Sequence, residues 1–104
     1  VDVGAAPVIP FRSIATDAAA FVPVLVPRWL PDARDVGDKL LARCPFHAEK
    51  SPSFYVYKSD GHYHCYGCGA HSDMIALLAH LRGIDMKEAA RELARSIGHE
   101  WGRE

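Results

Sequence analysis

The 104-residue sequence contains no long apolar run. Its longest, Ala18 to Val26, covers nine residues and is interrupted by Pro23. A membrane-spanning helix needs about 20 apolar residues, so no membrane role is expected. The N-terminus shows no basic patch followed by an apolar stretch. No secretory signal is read there, and the expected compartment is the cytoplasm. Neither sign of charge predominates: twelve Lys and Arg stand against thirteen Asp and Glu, a net of -1. That argues against a strongly basic coat for nucleic acid. Cysteine is rare and odd in number, at three, and disulfides are uncommon in a reducing compartment. No internal repeat is visible.

What remains is an ordinary globular composition, 49% hydrophobic and 24% charged. A domain this small buries limited surface and often needs a staple. The three Cys and six His suggest a metal. Cys44 and His47 are separated by two residues, as are Cys65 and Cys68, and seventeen residues lie between the pairs. The pattern C-x2-H-x17-C-x2-C is that of one structural zinc held by Cys44, His47, Cys65 and Cys68. Gly67 and Gly69 allow a tight second knuckle, and Pro45 stiffens the first. Backbone N–H groups there can bond to the sulfurs. His64 could compete with His47, but strand alternation turns it away from Cys65. A thiol-exchange role for Cys65 and Cys68 is the second reading. It lacks the βαβ setting such motifs usually have. Catalytic zinc would need an open coordination position, and four ready ligands leave none.

The expected fold class is α+β: a zinc ribbon, that is, a small antiparallel sheet clamped by one zinc, with flanking C-terminal helices. Residues 1–15 read as a loose arm. Thr16 or Asp17 could cap a short helix over 18–22 that Pro23 ends. Val24 to Leu30 reads as β-prone edge structure, and Pro31 to Asp38 as a turn. Lys39 to Arg43, Ser53 to Tyr57 and His62 to Tyr66 read as strands, the last two joined by a turn at Asp60-Gly61. Met74, Ile75, Leu77, Leu78 and Leu81 have helical spacing. Ser72 or Asp73 can cap that helix and Gly83 can end it. Asp85 and Glu88 form a capping-box pattern before Met86, Ala89, Ala90, Leu93 and Ile97, with Gly98 as the stop. His80 and His99 read as surface helix residues. The chain divides into an arm with a short helix, 1–27, and a zinc-ribbon domain, 28–104.

The segments Cys44-Pro45-Phe46-His47-Ala48-Glu49-Lys50-Ser51-Pro52-Ser53-Phe54 and His62-Tyr63-His64-Cys65-Tyr66-Gly67-Cys68-Gly69 resemble the zinc-binding domain of bacterial DnaG-type DNA primases. The likeness runs from about Leu41 to Gly98. It departs from the family at Ser72, where Gly is usual, and at Ser51, where Thr is usual. The turn Ser59-Asp60-Gly61-His62 is similar to one in phage primase-helicases, where the Asp and His positions bear on template choice. This suggests a phage, plasmid or other mobile-element origin. The resemblance implies a ribbon that binds single-stranded DNA template and assists RNA primer synthesis during replication. The implied partners are that template and a primase catalytic domain or polypeptide of the TOPRIM type, with a replicative helicase as a further candidate. Polymerisation needs a separate acidic, metal-holding centre, so this chain alone is expected not to make primers.

Binding a single strand needs cations along the backbone path and rings for the bases. Arg34, Arg43, Lys50 and Lys58 are the candidate cations. Phe54, Tyr55, Tyr57, Tyr63 and Tyr66 supply rings. Alternation separates Tyr55 and Tyr57 from Phe54 and Val56, and the latter pair is expected to face inward. The candidate DNA-binding set is therefore Arg34, Arg43, Lys50, Tyr55, Tyr57, Lys58, Asp60 and His62. Lys39 to Cys68 carries only Lys39, Arg43, Lys50 and Lys58 against Glu49 and Asp60, which predicts modest affinity. The rival reading is a ribbon that serves as a protein-interaction adaptor without DNA binding of its own.

Overall fold

The computed structural model describes residues 9–48 and 51–102. Most of the expected arm, residues 1–8, and the Glu49-Lys50 pair lie outside these. The described chain begins with α1 (Phe11–Ala18), a 3-10 turn (Ala19–Phe21) and α2 (Val22–Trp29). The strands β1 (Arg34–Asp35), β2 (Lys39–Ala42), β3 (Phe54–Tyr57), β4 (Tyr63–Cys65) and β5 (His71–Ser72) follow. Then come α3 (Met74–Arg82), α4 (Met86–Ile97) and a closing 3-10 turn (Glu100–Gly102). The five strands form an antiparallel meander in chain order. The α+β zinc-ribbon architecture stands, with a longer sheet than expected, because β1 and β5 are two-residue edge strands with no apolar alternation to announce them.

The N-terminal third corrects the sequence reading. Residues 11–15 belong to a helix, and 24–29 are helical where edge structure was expected. The physical reason is burial. Val22, Leu25 and Val26 are buried with Trp29 packed beside them, at the i, i+3, i+4, i+7 spacing of one helix face. Pro23 sits in the first turn, where a missing N–H costs nothing. Pro27 lies inside the helix, and packing of the apolar face outweighs its lost hydrogen bond. Ile14 and Ala18 extend the same stripe through α1.

The C-terminal helices follow their predicted signals. Asp73, rather than Ser72, caps α3, its carboxylate accepting from the Ala76 N–H at 3.0 Å; Ser72 is in β5. Asp85 caps α4 by accepting from the Glu88 N–H at 2.8 Å. Gly83 ends α3 at φ 67°, a left-handed conformation that a side chain would strain. Gly98 ends α4. α1 packs on α3 and α4, while α2 reaches β2 and β3, so the α1–α2 segment bridges the helices and the sheet.

His99 corrects a further expectation. It follows α4, and its side chain is only 12% exposed. Its Nδ1 accepts from the Trp101 N–H at 3.1 Å, which leaves the neutral ring's proton on Nε2. That nitrogen faces both Ser13 Oγ at 3.1 Å and Asp17 Oδ2 at 3.6 Å. Serine and carboxylate share one nitrogen, so no proton relay exists, and the contact ties α1 to the C-terminal turn.

One continuous core joins the two halves, with Leu40, Phe54, Val56 and Cys65 from the sheet meeting Met74, Leu77, Leu78 and Leu93 from the helices. At the far end of the β3–β4 hairpin, Gly61 has φ 78° and is buried. A Cβ there would lie 3.3 Å from the Met74 sulfur. The Asp-Gly turn thus serves both the hairpin and its docking on α3.

Candidate metal centre and sheet face

The centre forms where the two knuckles meet at one end of the sheet. Cys44 follows β2 and Cys65 closes β4. The potential ligand atoms of Cys44, His47, Cys65 and Cys68 all lie within 4.8 Å of one another. The Cys44 and Cys68 sulfurs are 3.8 Å apart. Tetrahedral zinc with Zn–S bonds of ~2.3 Å sets a sulfur–sulfur edge of about 3.8 Å. His47 Nδ1 is 4.0 Å from the Cys65 sulfur. Three sulfurs and one imidazole at this spacing fit one structural zinc.

Backbone groups support the thiolates in the way knuckles require. The Phe46 N–H donates to the Cys44 sulfur and the Gly67 N–H to the Cys65 sulfur, each at 3.3 Å. Burial pushes the Cys44 thiol up to about 12. Burial opposes ionisation of Cys65 too. There, hydrogen bonds from Ser53 and from the Cys68 and Gly67 N–H groups outweigh it and bring the thiol down to about 7. Cys65 therefore gives up its proton more readily than Cys44, whose proton zinc must displace. Cys68 is exposed, whereas Cys44 and Cys65 are buried. His64 points to the opposite sheet face and takes no part in the cluster, its ring lying 4.4 Å from that of Tyr66.

An aromatic cluster beneath the first knuckle was not anticipated. The Phe46 ring lies 5.3 Å from Tyr63 and 4.1 Å from His80, and Tyr63 lies 5.2 Å from Phe54. His80 Nε2 donates to the Pro45 carbonyl at 2.9 Å. The residue expected only to decorate α3 thus holds the first knuckle against that helix. Tyr63, counted among the DNA-facing rings, is instead buried.

Comparison with known proteins adds identity. The sequence profile described as the CHC2 zinc finger, the zinc ribbon of DnaG, matches residues 29–104. This chain belongs to the CHC2 zinc finger family.

The CHC2 segment is 56% identical over 56 residues to the DNA primase of Chlamydia trachomatis, covering 54% of this chain and 9% of that one. It is 48% identical over 63 residues to the DNA primase of Thermotoga maritima, covering 61% of this chain and 11% of that one. The solved structure of the zinc-binding and RNA polymerase domains of the Aquifex aeolicus primase superposes with a TM-score of 0.67 at 32% identity. It covers 81% of this chain and 21% of that one. The chain spans about a tenth of the length of the curated primases it matches.

The CHC2 sheet has two unlike faces. Leu40, Ala42, Phe54, Val56, Tyr63 and Cys65 point inward and are buried. Phe54 and Val56 lie inward as expected, and Tyr55 and Tyr57 lie on the other face. There Lys39 pairs across strands with Tyr57, and Leu41, Tyr55, His64 and His71 line up in one row. Lys39 Nζ stands 5.4 Å from the Tyr55 ring centre and 5.5 Å from that of Tyr57. The His62 ring stacks on Tyr57 at 4.3 Å. A groove of about 380 Å³ opens between Lys39, Pro52, Ser53, Tyr55, Tyr57 and Tyr66.

The other predicted residues spread around this face. Lys58 is bound to Asp35 at 2.7 Å, which holds that carboxyl below its usual range. Asp60 accepts from the His62 backbone N–H at 3.0 Å and from its ring, so it serves the turn. Arg34 and Arg43 are exposed. Lys50 is outside the described residues. The sequence reading left Lys39 out of the site. Its signal was the hairpin register, which the length of the connection between β2 and β3 obscured.

Proposed function

We propose that this chain is the template-binding zinc ribbon of a DNA primase. It binds single-stranded DNA on the outer sheet face and assists RNA primer synthesis by a catalytic partner of the TOPRIM type in the cytoplasm. The observation that carries this reading is the uncovered face itself: three tyrosine rings, a histidine stacked on one of them and a lysine above two of them, on a ribbon of the CHC2 family. Rings accept bases of any sequence, and cations meet phosphates. The named function of the relatives supports the primase assignment. In this reading the exposed Arg34 and Arg43 extend the phosphate path, and Lys50 joins them on the strength of the family likeness. Zinc holds the face and takes no part in chemistry.

The test is fluorescence anisotropy of the zinc-loaded chain with a labelled single-stranded oligonucleotide, across a salt series and with duplex competitor. Salt-sensitive binding that prefers single strands is expected, because each phosphate contact releases a counterion. Absence of binding at low salt would favour the adaptor reading.

A further inference from the structure

We infer that the groove beside Tyr66 is a seat for a single unstacked nucleotide, with the base against the tyrosine rings and its phosphate on Lys39. The inference rests on the proposed binding of single-stranded DNA and narrows it to one subsite. Tyr66 is 66% exposed, the most open large apolar side chain among the described residues. It lies inside the second zinc knuckle, between Cys65 and Cys68. Its N–H donates to the Ser53 carbonyl at 3.0 Å, and its hydroxyl meets that of Tyr57 at 3.0 Å. The knuckle therefore fixes one wall of the groove, and β3 supplies the other through Tyr55, whose ring meets Tyr66 edge-on at 5.5 Å.

The volume of about 380 Å³ is at the small end of ligand clefts, which run ~300–1,000 Å³. It suits one nucleotide and is too small for a paired duplex. Lys39 supplies the matching charge. Its ammonium is 3.2 Å from Asp38, whose side chain is 76% exposed, and a phosphate can replace that weak surface partner. Metal and nucleotide are thereby coupled: the same four-residue knuckle binds zinc through its ends and a base through its second residue.

The test uses the zinc-loaded chain and an end-labelled oligothymidylate. Tyr66→Ala is expected to weaken binding about tenfold, the scale of one lost base stack, while Tyr66→Phe stays within about twofold. Lys39→Ala is expected to make the salt dependence shallower by about one released counterion. Zinc content should be unchanged because neither side chain belongs to the ligand cluster, and the melting temperature, measured alongside, separates lost binding from lost fold. If Tyr66→Ala and Lys39→Ala both bind like the parent chain, the nucleotide seat is wrong while the single-strand reading stands. If the parent chain binds no oligonucleotide at any salt, the underlying reading falls and this inference with it.

Discussion

The ribbon and the helical half reach stability by different routes. In the ribbon, strands of two to four residues are too short to hold a sheet by pairing alone. Four ligands drawn from two knuckles do that work from one end. In the helical half, α3 and α4 carry their own caps and stops and bury Ile75, Leu77, Leu78 and Leu93 completely or nearly so. The metal clamps the sheet from one end and leaves its two faces to the alternation usual in antiparallel strands. One face packs on the helices, and the other can stay open with rings and cations.

The largest expected effect breaks the ribbon alone. Chelation of zinc, or Cys65→Ala, removes a term on the order of 10 kcal/mol in small zinc domains. The β2–β4 amide signals should collapse in an NMR spectrum, with α3 and α4 losing less. Equal loss in both halves would show them to be one cooperative unit. Acid should act in the same direction. A ligand thiol must be deprotonated, and Cys44 keeps its proton up to about 12 without metal. Zinc uptake should therefore release protons, and measured affinity should fall as pH is lowered through the neutral range, more steeply below the Cys65 value of about 7.

Leu93→Ala strikes the other half. A fully buried leucine truncated to alanine costs ~2–5 kcal/mol. Denaturant melts should shift by that amount with the zinc-to-protein ratio unchanged in the folded fraction. A fall in zinc stoichiometry at equal folded fraction would argue that the helices shape the metal site directly.

Smaller still, Asp85→Ala removes the α4 cap and should cost about 1 kcal/mol, visible as a lower melting temperature. Rescue by Asp85→Asn would assign the effect to the hydrogen bond from the Glu88 N–H rather than to charge.

The smallest change concerns the hairpin turn. The His62 ring, and then its backbone N–H, hold the Asp60 carboxyl below its usual range. A lowered carboxyl pKa contributes stability above the unfolded value of ~3.9. That contribution is lost as pH falls through the folded value. His62→Ala should raise the Asp60 pKa toward the ordinary range in an NMR titration. An unchanged value would leave the backbone N–H as the whole cause.

The helical half was largely legible in advance, because caps, stops and apolar spacing are local signals. Asp73, Gly83, Asp85 and Gly98 stand where a single helix requires them. The ribbon's ligands were legible for another reason: metal coordination imposes a spacing that chance seldom imitates. The N-terminal helices were misread because Pro23, Pro27 and a run of valines disfavour helix locally. Only the core waiting for Val22, Leu25 and Val26 reverses that preference.

Reading along the chain is enough to find the zinc ligands, the alternation that turns Tyr55 and Tyr57 away from Phe54 and Val56, and the stops of the last two helices. Each follows from contacts between residues near in the chain or from a fixed ligand geometry. Folding in three dimensions was needed to set the α1–α2 segment between helices and sheet and to bring His80 to the Pro45 carbonyl across 35 positions. It also placed Lys39 above two tyrosines contributed by another strand. These depend on which surfaces meet after collapse, and nothing in the spacing of residues along one segment records that.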